Sequence, residues 1–211
     1  MQPLARSFYL QGTLLAARAL LGKTLVRRFD DGRIATGRIV ETEAYTQDDP
    51  ACHAFRGLTK SNKTMWGAPG HAYIHINYGL HYCLNAVTAP EGVAEAVLIR
   101  AIEPQENARL LWRNTFGEPP EEPTDDGAFD TLARADRRLT SGPGKLTRAL
   151  KVDRAFDGTD LTSAAGALFF GDGDDDVPDA AVVTTTRIGI TKGADFPWRF
   201  YVRASPFVSR R

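Results

Sequence analysis

Two carboxylates and a tyrosine alternate with small residues in the run Glu41-Thr-Glu-Ala-Tyr45. In an extended chain alternate side chains share a face, so Glu41, Glu43 and Tyr45 are expected to stand together, with Thr42 and Ala44 opposite. A carboxylate held this way, Glu43 above all, can act as a general base towards water. It can equally be the ionic partner of Arg38 or Arg100, the commoner fate of a charged strand residue. A base needs a site, and Tyr45, His53 and His75 offer flat rings that could sandwich a planar group, as extruded nucleobases are held.

Other chemistries fit less well. His71, His75, His81 and Cys83 lie close in sequence, but their spacings match none of the common structural zinc patterns and the residues also suit a half-buried hairpin. Ser141 is in no G-x-S-x-G turn, and neither cysteine has a nucleophile's signature. Ser141-Gly-Pro-Gly-Lys145 could open a helix whose N–H groups hold a phosphate, yet Leu139 stands where a Walker A loop needs its first glycine. A Schiff-base lysine stays open, although no lysine is singled out in an apolar strand, and water activated by Glu43 is the better reading, with no metal and no cofactor expected.

The elements that must position these residues follow from local pattern. Thr24–Phe29 and Arg33–Tyr45 are rich in β-branched residues and flank Asp30-Asp31-Gly32, predicting a hairpin whose second arm carries Glu43. A second hairpin is expected over 71–87, turning at Tyr78-Gly79, where the glycine supplies a positive φ and the tyrosine sits at an exposed tip. Ala96–Ile102 reads as a strand with Arg100 its single charge. Helices are predicted over Leu14–Leu21 with Thr13 as N-cap, from Pro104 to about Asn114, over Ala128–Leu139 and over Gly144–Val152. Strands resume at Ala167–Phe170, Ala181–Ile190 and Arg199–Val202. Residues 46–70 read as a long loop, of the kind usually functional in a compact domain, and 119–127 as an exposed acidic one. Connections between the early strands are too short for parallel crossovers, so pairing should be mainly antiparallel.

The 211 residues suffice for one well-filled core and show no linker, so a single domain spanning 1–211 is expected. Composition is that of an ordinary globular protein, with no apolar run able to span a bilayer and no leader pattern, which predicts a cytoplasmic protein without membrane contact. Cys52 and Cys83 read as buried thiols rather than a disulfide. Twenty-six basic and 26 acidic residues cancel, but they are segregated. Residues 51–90 hold no Asp or Glu, yet carry Arg56, Lys60, Lys63 and all four histidines. Residues 131–154 carry seven Lys/Arg against two acids, whereas 117–130 and 171–179 contain no Lys or Arg. A neutral chain can thus present a basic face.

Taken together, Ala17–Lys23, Ile39-Val-Glu-Thr-Glu-Ala-Tyr45, His53, Asn62–Trp66, Pro69-Gly70, Tyr73–Asn85, Leu98–Pro104, Ser141–Leu146, Arg187-Ile-Gly189 and Arg199–Arg203 resemble the alkyladenine (3-methyladenine) DNA glycosylase family of base-excision repair, in the family's order. The fold then expected is mixed α+β, a single domain with a curved, mainly antiparallel sheet flanked by helices and a protruding β-hairpin. The resemblance implies a monomeric, monofunctional hydrolase that flips a damaged purine from duplex DNA through the minor groove and cleaves its N-glycosidic bond. Glu43 matches the general base, with Arg100 and the Ile188 backbone carbonyl helping to hold the attacking water. Tyr45, His53 and His75 match the base pocket, and Asn85 the residue that disfavours guanine's exocyclic amine. Tyr78 matches the intercalating side chain, and Tyr73, Lys63 and Lys145 fall among phosphate or DNA contacts. One departure is His75, where the family commonly has tyrosine: an imidazole stacks over less area and, if protonated, repels a cationic base.

Overall fold

Strand β2, Ile34–Tyr45, is the longest of the eight among the described residues, and the sheet is built on both of its edges. The computed structural model describes residues 1–77, 79–118, 125–173 and 176–210. Along one edge β2 pairs from Gly37 to Tyr45 with β5 (Glu95–Pro104). Along the other, its first half pairs with β1 (Thr24–Arg28) and its second half, from Glu41 to Glu43, with β8 (Arg199–Val202). All described pairings are antiparallel, and the order β3-β4-β5-β2-β1-β6 curls into a half-barrel, with β7 (Val182–Thr185) extending from β8. Here β3 is Ala72–Asn77, β4 is His81–Thr88 and β6 is Leu168–Gly171.

The curl has a local cause that also serves the site. Pairing between β2 and β5 slips at Ile39/Glu41 and again at Glu41/Thr42, so that Val40 on β2 and Arg100 on β5 are each left without an opposite residue. A bulge of this kind bends the strand and re-aims the extra side chain. Arg100 is therefore turned towards the carboxylates of β2 rather than held in simple alternation.

Among the described residues four α-helices flank the sheet: α1 (Thr13–Ala19), α2 (Ala108–Phe116), α3 (Asp126–Ala135) and α4 (Pro143–Ala149). The main apolar core lies between them and the sheet, around Leu20, Ile39, Ile74, Ile99, Ile102, Leu111, Leu139 and Leu146. A smaller apolar cluster, Cys52, Ala54, Met65, Tyr73, Val87, Ala94 and Ala96, lies under the loop that follows β2. Both cysteines are buried free thiols, their pKa values pushed up to about 11 by burial.

Several expected boundaries shift. Gly12, at φ +99°, occupies the N-cap of α1, while the Thr13 hydroxyl lies 2.7 Å from that of Thr88 and so ties the helix to the sheet. Pro104 ends β5 opposite Gly37 and opens no helix. The ladder continues past it, Gln105 N–H donating to the Thr36 carbonyl at 2.9 Å, and α2 starts only after Asn107 turns left-handed at φ +55°. Helix α3 begins earlier than expected, where Asp125 accepts from the amides of Gly127 and Ala128, and it stops at Ala135. The acidic loop expected at 119–127 lies outside the described residues over 119–124, as does Tyr78.

Candidate active site

Glu43 is fully buried yet charged groups and donors surround its carboxylate. The Ile188 N–H donates to Oε1 at 2.8 Å, and Arg100 Nη1 stands 3.2 Å from the same oxygen. The Tyr45 hydroxyl donates to Oε2 at 2.8 Å. An ionised carboxylate offers about four lone-pair positions, so these three neighbours leave room for one further donor. Burial, reinforced by the negative charge of Glu43, lifts the Tyr45 phenol well above its usual range, so it keeps its proton and remains a donor. Arg100 is held cationic: burial opposes the charge, but Glu43 and then Glu41 more than offset it and raise its pKa.

Behind this group a second carboxylate fixes the first. Glu41, also fully buried, accepts from Arg100 Nε (3.1 Å), Arg199 Nη1 (2.7 Å), the Ser209 amide (2.7 Å) and the Ser209 hydroxyl (3.0 Å). Arg100 thus spans both carboxylates of β2, the arrangement its bulge position permits. Ser209 closes over it, since Arg100 Nη2 also donates to Ser209 Oγ at 3.2 Å.

Tyr45, Arg100 and Ile188 are in turn part of the wall of a cavity of about 170 Å³. Its other lining includes His53, Tyr73, His75, Cys83, Asn85 and Pro143, and Arg100 is the one charged side chain among the described lining residues. Glu43 stands just behind the wall. Cys52, Met65, Tyr73 and Ala96 of the smaller apolar cluster also line the cavity, which explains why so small a cluster persists beside the main core. The rings on one side pack on each other: His53 meets His75 edge to face at 4.2 Å between centroids, and Tyr73 stacks on His75 at 5.6 Å. The His53 Nδ1 lies 3.1 Å from the Tyr73 hydroxyl. Asn85 Nδ2 donates to the Tyr73 carbonyl at 3.0 Å and approaches the Cys83 carbonyl and His75 Nδ1, both at 3.3 Å. His75 is neutral at ordinary pH, its pKa pushed down to about 3 by burial, then by His53 and Arg154.

Tyr45 is steadied from outside the cavity. The Arg187 guanidinium, buried to zero side-chain exposure, lies 4.6 Å from the Tyr45 ring centre and 5.1 Å from that of Trp198. It is paired with Asp49 through both carboxylate oxygens, and its Nη1 also donates to the Ala44 carbonyl at 2.9 Å. The residue after Arg187 is Ile188, whose N–H meets Glu43. This explains why β7 ends at Thr185 instead of running on to 190: the chain must leave the sheet for Ile188 to turn its amide inward.

The structure therefore brings Glu43, Arg100, Ile188, Tyr45, His53, His75 and Asn85 to one place. It is the amide of Ile188 that meets Glu43, a contact the sequence reading did not include. Tyr73, expected among DNA contacts, is 3% exposed and belongs to the cavity wall. Lys63 and Lys145 are exposed and are not among the residues that line the cavity. At the outer hairpin Gly79 has φ +69°, the turn geometry expected of it, and Ile76 and Leu80 on either side of Tyr78 are 51% and 76% exposed. Gly144 of α4 lies so close under His81 that a Cβ there would come within 2.7 Å of that side chain, which ties this helix to the hairpin's base. A groove beside it is lined by Leu80, His81, Arg148 and Lys151. Among the described residues no three His, Cys, Asp or Glu side chains are grouped to hold a metal, and no helix is long and apolar enough to cross a membrane. Sequence reasoning missed Glu41 as the anchor of Arg100, and it missed the Asp49–Arg187 pair.

Comparison with known proteins adds an independent line. The model of the methylpurine-DNA glycosylase family matches residues 7–206. A protein of Carboxydothermus hydrogenoformans is 43% identical over 208 residues, covering 99% of both chains. One from Salinibacter ruber is 45% identical over 222 aligned positions, covering 99% of this chain and 97% of its own, and one from Methanoculleus marisnigri is 42% identical over 208. All three are provisionally named 3-methyladenine DNA glycosylases.

Proposed function

Because the chain belongs to the methylpurine-DNA glycosylase family, we propose that it is a monofunctional DNA glycosylase, a single cytoplasmic domain acting as a monomer on alkylated or deaminated purines in duplex DNA. The observation that carries this reading is the Glu43 carboxylate, held by the Ile188 amide, Arg100 and Tyr45 at the back of a ring-lined cavity.

The reaction follows from those groups. A water donating to the remaining position on Glu43 faces the cavity. As the bond between the sugar's anomeric carbon and the purine nitrogen breaks, the electron pair leaves with the base and the sugar acquires oxocarbenium character. The water oxygen then bonds to the anomeric carbon, and its proton passes to Glu43. Arg100 and the Ile188 amide keep the carboxylate in place, and Arg100 stays cationic through both states of Glu43. A purine alkylated to a cation is already a good leaving group, while a neutral base such as hypoxanthine must gain a hydrogen bond or proton as it departs.

Extrusion of the nucleotide costs a few kcal/mol, less for a damaged or mispaired base. Tyr78, between β3 and β4 in sequence, is proposed to enter the minor groove and fill the gap, where an aromatic wedge offsets lost stacking. The exposed Ile76 and Leu80 beside it support this, since apolar surface at a loop tip calls for a partner. Arg148 and Lys151 beside Leu80, together with Lys63 and Lys145, are suited to phosphates. Inside the cavity Tyr45, His53 and His75 would take the flipped base between rings, a contact worth about 1 to 3 kcal/mol and tolerant of many purines.

The test is release of the free base from duplexes each carrying one lesion: methylated adenine, methylated guanine, hypoxanthine or ethenoadenine. Release of at least one, leaving an intact strand with an abasic sugar, is expected. Tight lesion binding without release of any would instead identify a non-catalytic binding module.

A further inference from the structure

We propose that Ser209 is a positioning residue for the hydrolysis: its hydroxyl holds the Arg100 guanidinium in an orientation that serves Glu43 as well as Glu41. The proposal rests on the glycosylase reading and deepens it by naming a residue that steadies the general base from outside the cavity.

A guanidinium is a rigid plane with its N–H groups in a fixed fork, so holding two of its nitrogens sets where the third points. In Arg100 each nitrogen meets a different residue. Nε donates to Glu41 Oε1 at 3.1 Å, Nη2 donates to Ser209 Oγ at 3.2 Å, and Nη1 stands 3.2 Å from Glu43 Oε1. Arginine can only donate and a carboxylate can only accept, so the single proton of the Ser209 hydroxyl lies on its 3.0 Å contact with Glu41 Oε1. Its lone pairs then face Arg100. The hydroxyl is thus a one-atom spacer between cation and carboxylate, and the Ser209 N–H adds a 2.7 Å bond to Glu41 Oε2.

Ser209 is itself held from both sides. The Val208 carbonyl accepts from Ser141 Oγ and Arg137 Nη2, both at 3.3 Å, and the Arg210 carbonyl accepts from Arg199 Nη1 at 2.7 Å. Phe207 belongs to the main core and Val208 is buried. Ser209 is not among the residues that line the cavity, so it acts on the reaction through Arg100 and Glu41.

Without the hydroxyl, Nη2 faces a fully buried carboxylate with nothing between them. The N–H groups of Nε and Nη2 then match the two oxygens of Glu41, the paired arrangement that arginine and carboxylate favour. Closing onto Glu41 draws Nη1 away from Glu43, which keeps the Ile188 amide and the Tyr45 hydroxyl as its partners. The base is then less well fixed, while the ring-lined cavity that would receive the purine is untouched.

The experiment compares wild type, Ser209→Ala and Ser209→Thr, each as the full chain. Alanine keeps the backbone N–H and removes the hydroxyl, and threonine restores it. Single-turnover release of 3-methyladenine and of hypoxanthine is measured beside binding of the same duplexes. Release by Ser209→Ala is expected to fall by about ten- to a hundredfold, the cost of shifting a catalytic group by up to about an ångström. Binding is expected to stay unchanged, and Ser209→Thr to restore the rate. Wild-type release by Ser209→Ala overturns the proposal, as does a threonine variant as slow as the alanine one or an equal loss of release and binding. A crystal structure of Ser209→Ala reads the contact without substrate: Nη1 beyond hydrogen-bond reach of Glu43 supports the proposal, and an unchanged 3.2 Å contact overturns it. If wild type releases no base from any duplex, the glycosylase reading fails, and the variant's crystal structure alone decides whether Ser209 sets the aim of Arg100.

Discussion

Replacing Asp49 by Asn tests how the wall of the cavity is held. Asp49 and Arg187 have no side-chain exposure, and Asp49 Oδ1 also accepts from the Ala51 amide at 3.0 Å. Neutralising Asp49 leaves a buried guanidinium with the Ala44 and Gly193 carbonyls and the faces of Tyr45 and Trp198, but no counter-charge. Breaking one side of such a pair costs about 3 to 5 kcal/mol, more than the pair itself contributes relative to apolar residues. For a chain of this length that is a fall in melting temperature of about 6 to 20 °C. The companion variant Arg187→Met strands the carboxylate and should cost a similar amount, whereas the double variant should recover part of the loss, with a coupling above about 1 kcal/mol in a double-mutant cycle. Thermal and urea unfolding of the four proteins measure it. Base release should fall in both single variants, because Arg187 supports Tyr45 and precedes Ile188. Losses that simply add, or a melting shift under about 2 °C for Asp49→Asn, would show that the Asp49–Arg187 pair does not hold this wall.

Two further outcomes can be checked with simple assays. His75 has a folded pKa of about 3 against an ordinary 6.5, so the unfolded chain binds more protons between those values. Its stabilising contribution is complete above about pH 6.5 and is lost as pH falls towards 3, with a slope of at most about 1.4 kcal/mol per pH unit; denaturant titrations should show His75→Phe flattening that part of the profile, and an unaltered profile would contradict it. Tyr78→Ala should weaken lesion-duplex binding by about 1 to 3 kcal/mol, roughly five- to 150-fold, without lowering the melting temperature, as read by fluorescence anisotropy and thermal unfolding.

Much of the scaffold was legible because the period-two patterns of β1, β2, β4 and β5 coincide with antiparallel pairing, and because Gly32 and Gly79 mark their turns. The carboxylate pair with Tyr45 was legible for the same reason. What escaped was set by contacts distant in sequence. Pro104 has the local signature of a helix start, but its partner Gly37 and the Thr36 carbonyl keep the chain extended. Ala181–Ile190 is β-branched enough to read as one strand. Five of its residues leave the sheet so that Ile188 can reach Glu43, and local propensity gives way here to the needs of the site. Arg100 was noticed as a lone charge in an apolar strand, yet its aim depends on a bulge that no spacing announces. The partnership of Asp49 with Arg187 spans 138 positions and carries no motif. The concern that His75 would repel a cationic base came from its ordinary pKa, and burial beside Asn85 and His53 reverses it.

In the proposed reaction Glu43 activates the attacking water. In Glu43→Gln the amide oxygen can still accept from Ile188 and Arg100, while its NH2 can donate to the Tyr45 hydroxyl, so the cavity should keep its form. Single-turnover base release from a lesion duplex, measured beside binding of the same duplex, is the direct test. Near-native binding is expected, with release slowed by at least the hundred- to ten-thousandfold that a general base supplies. Full release by the Gln variant would contradict it.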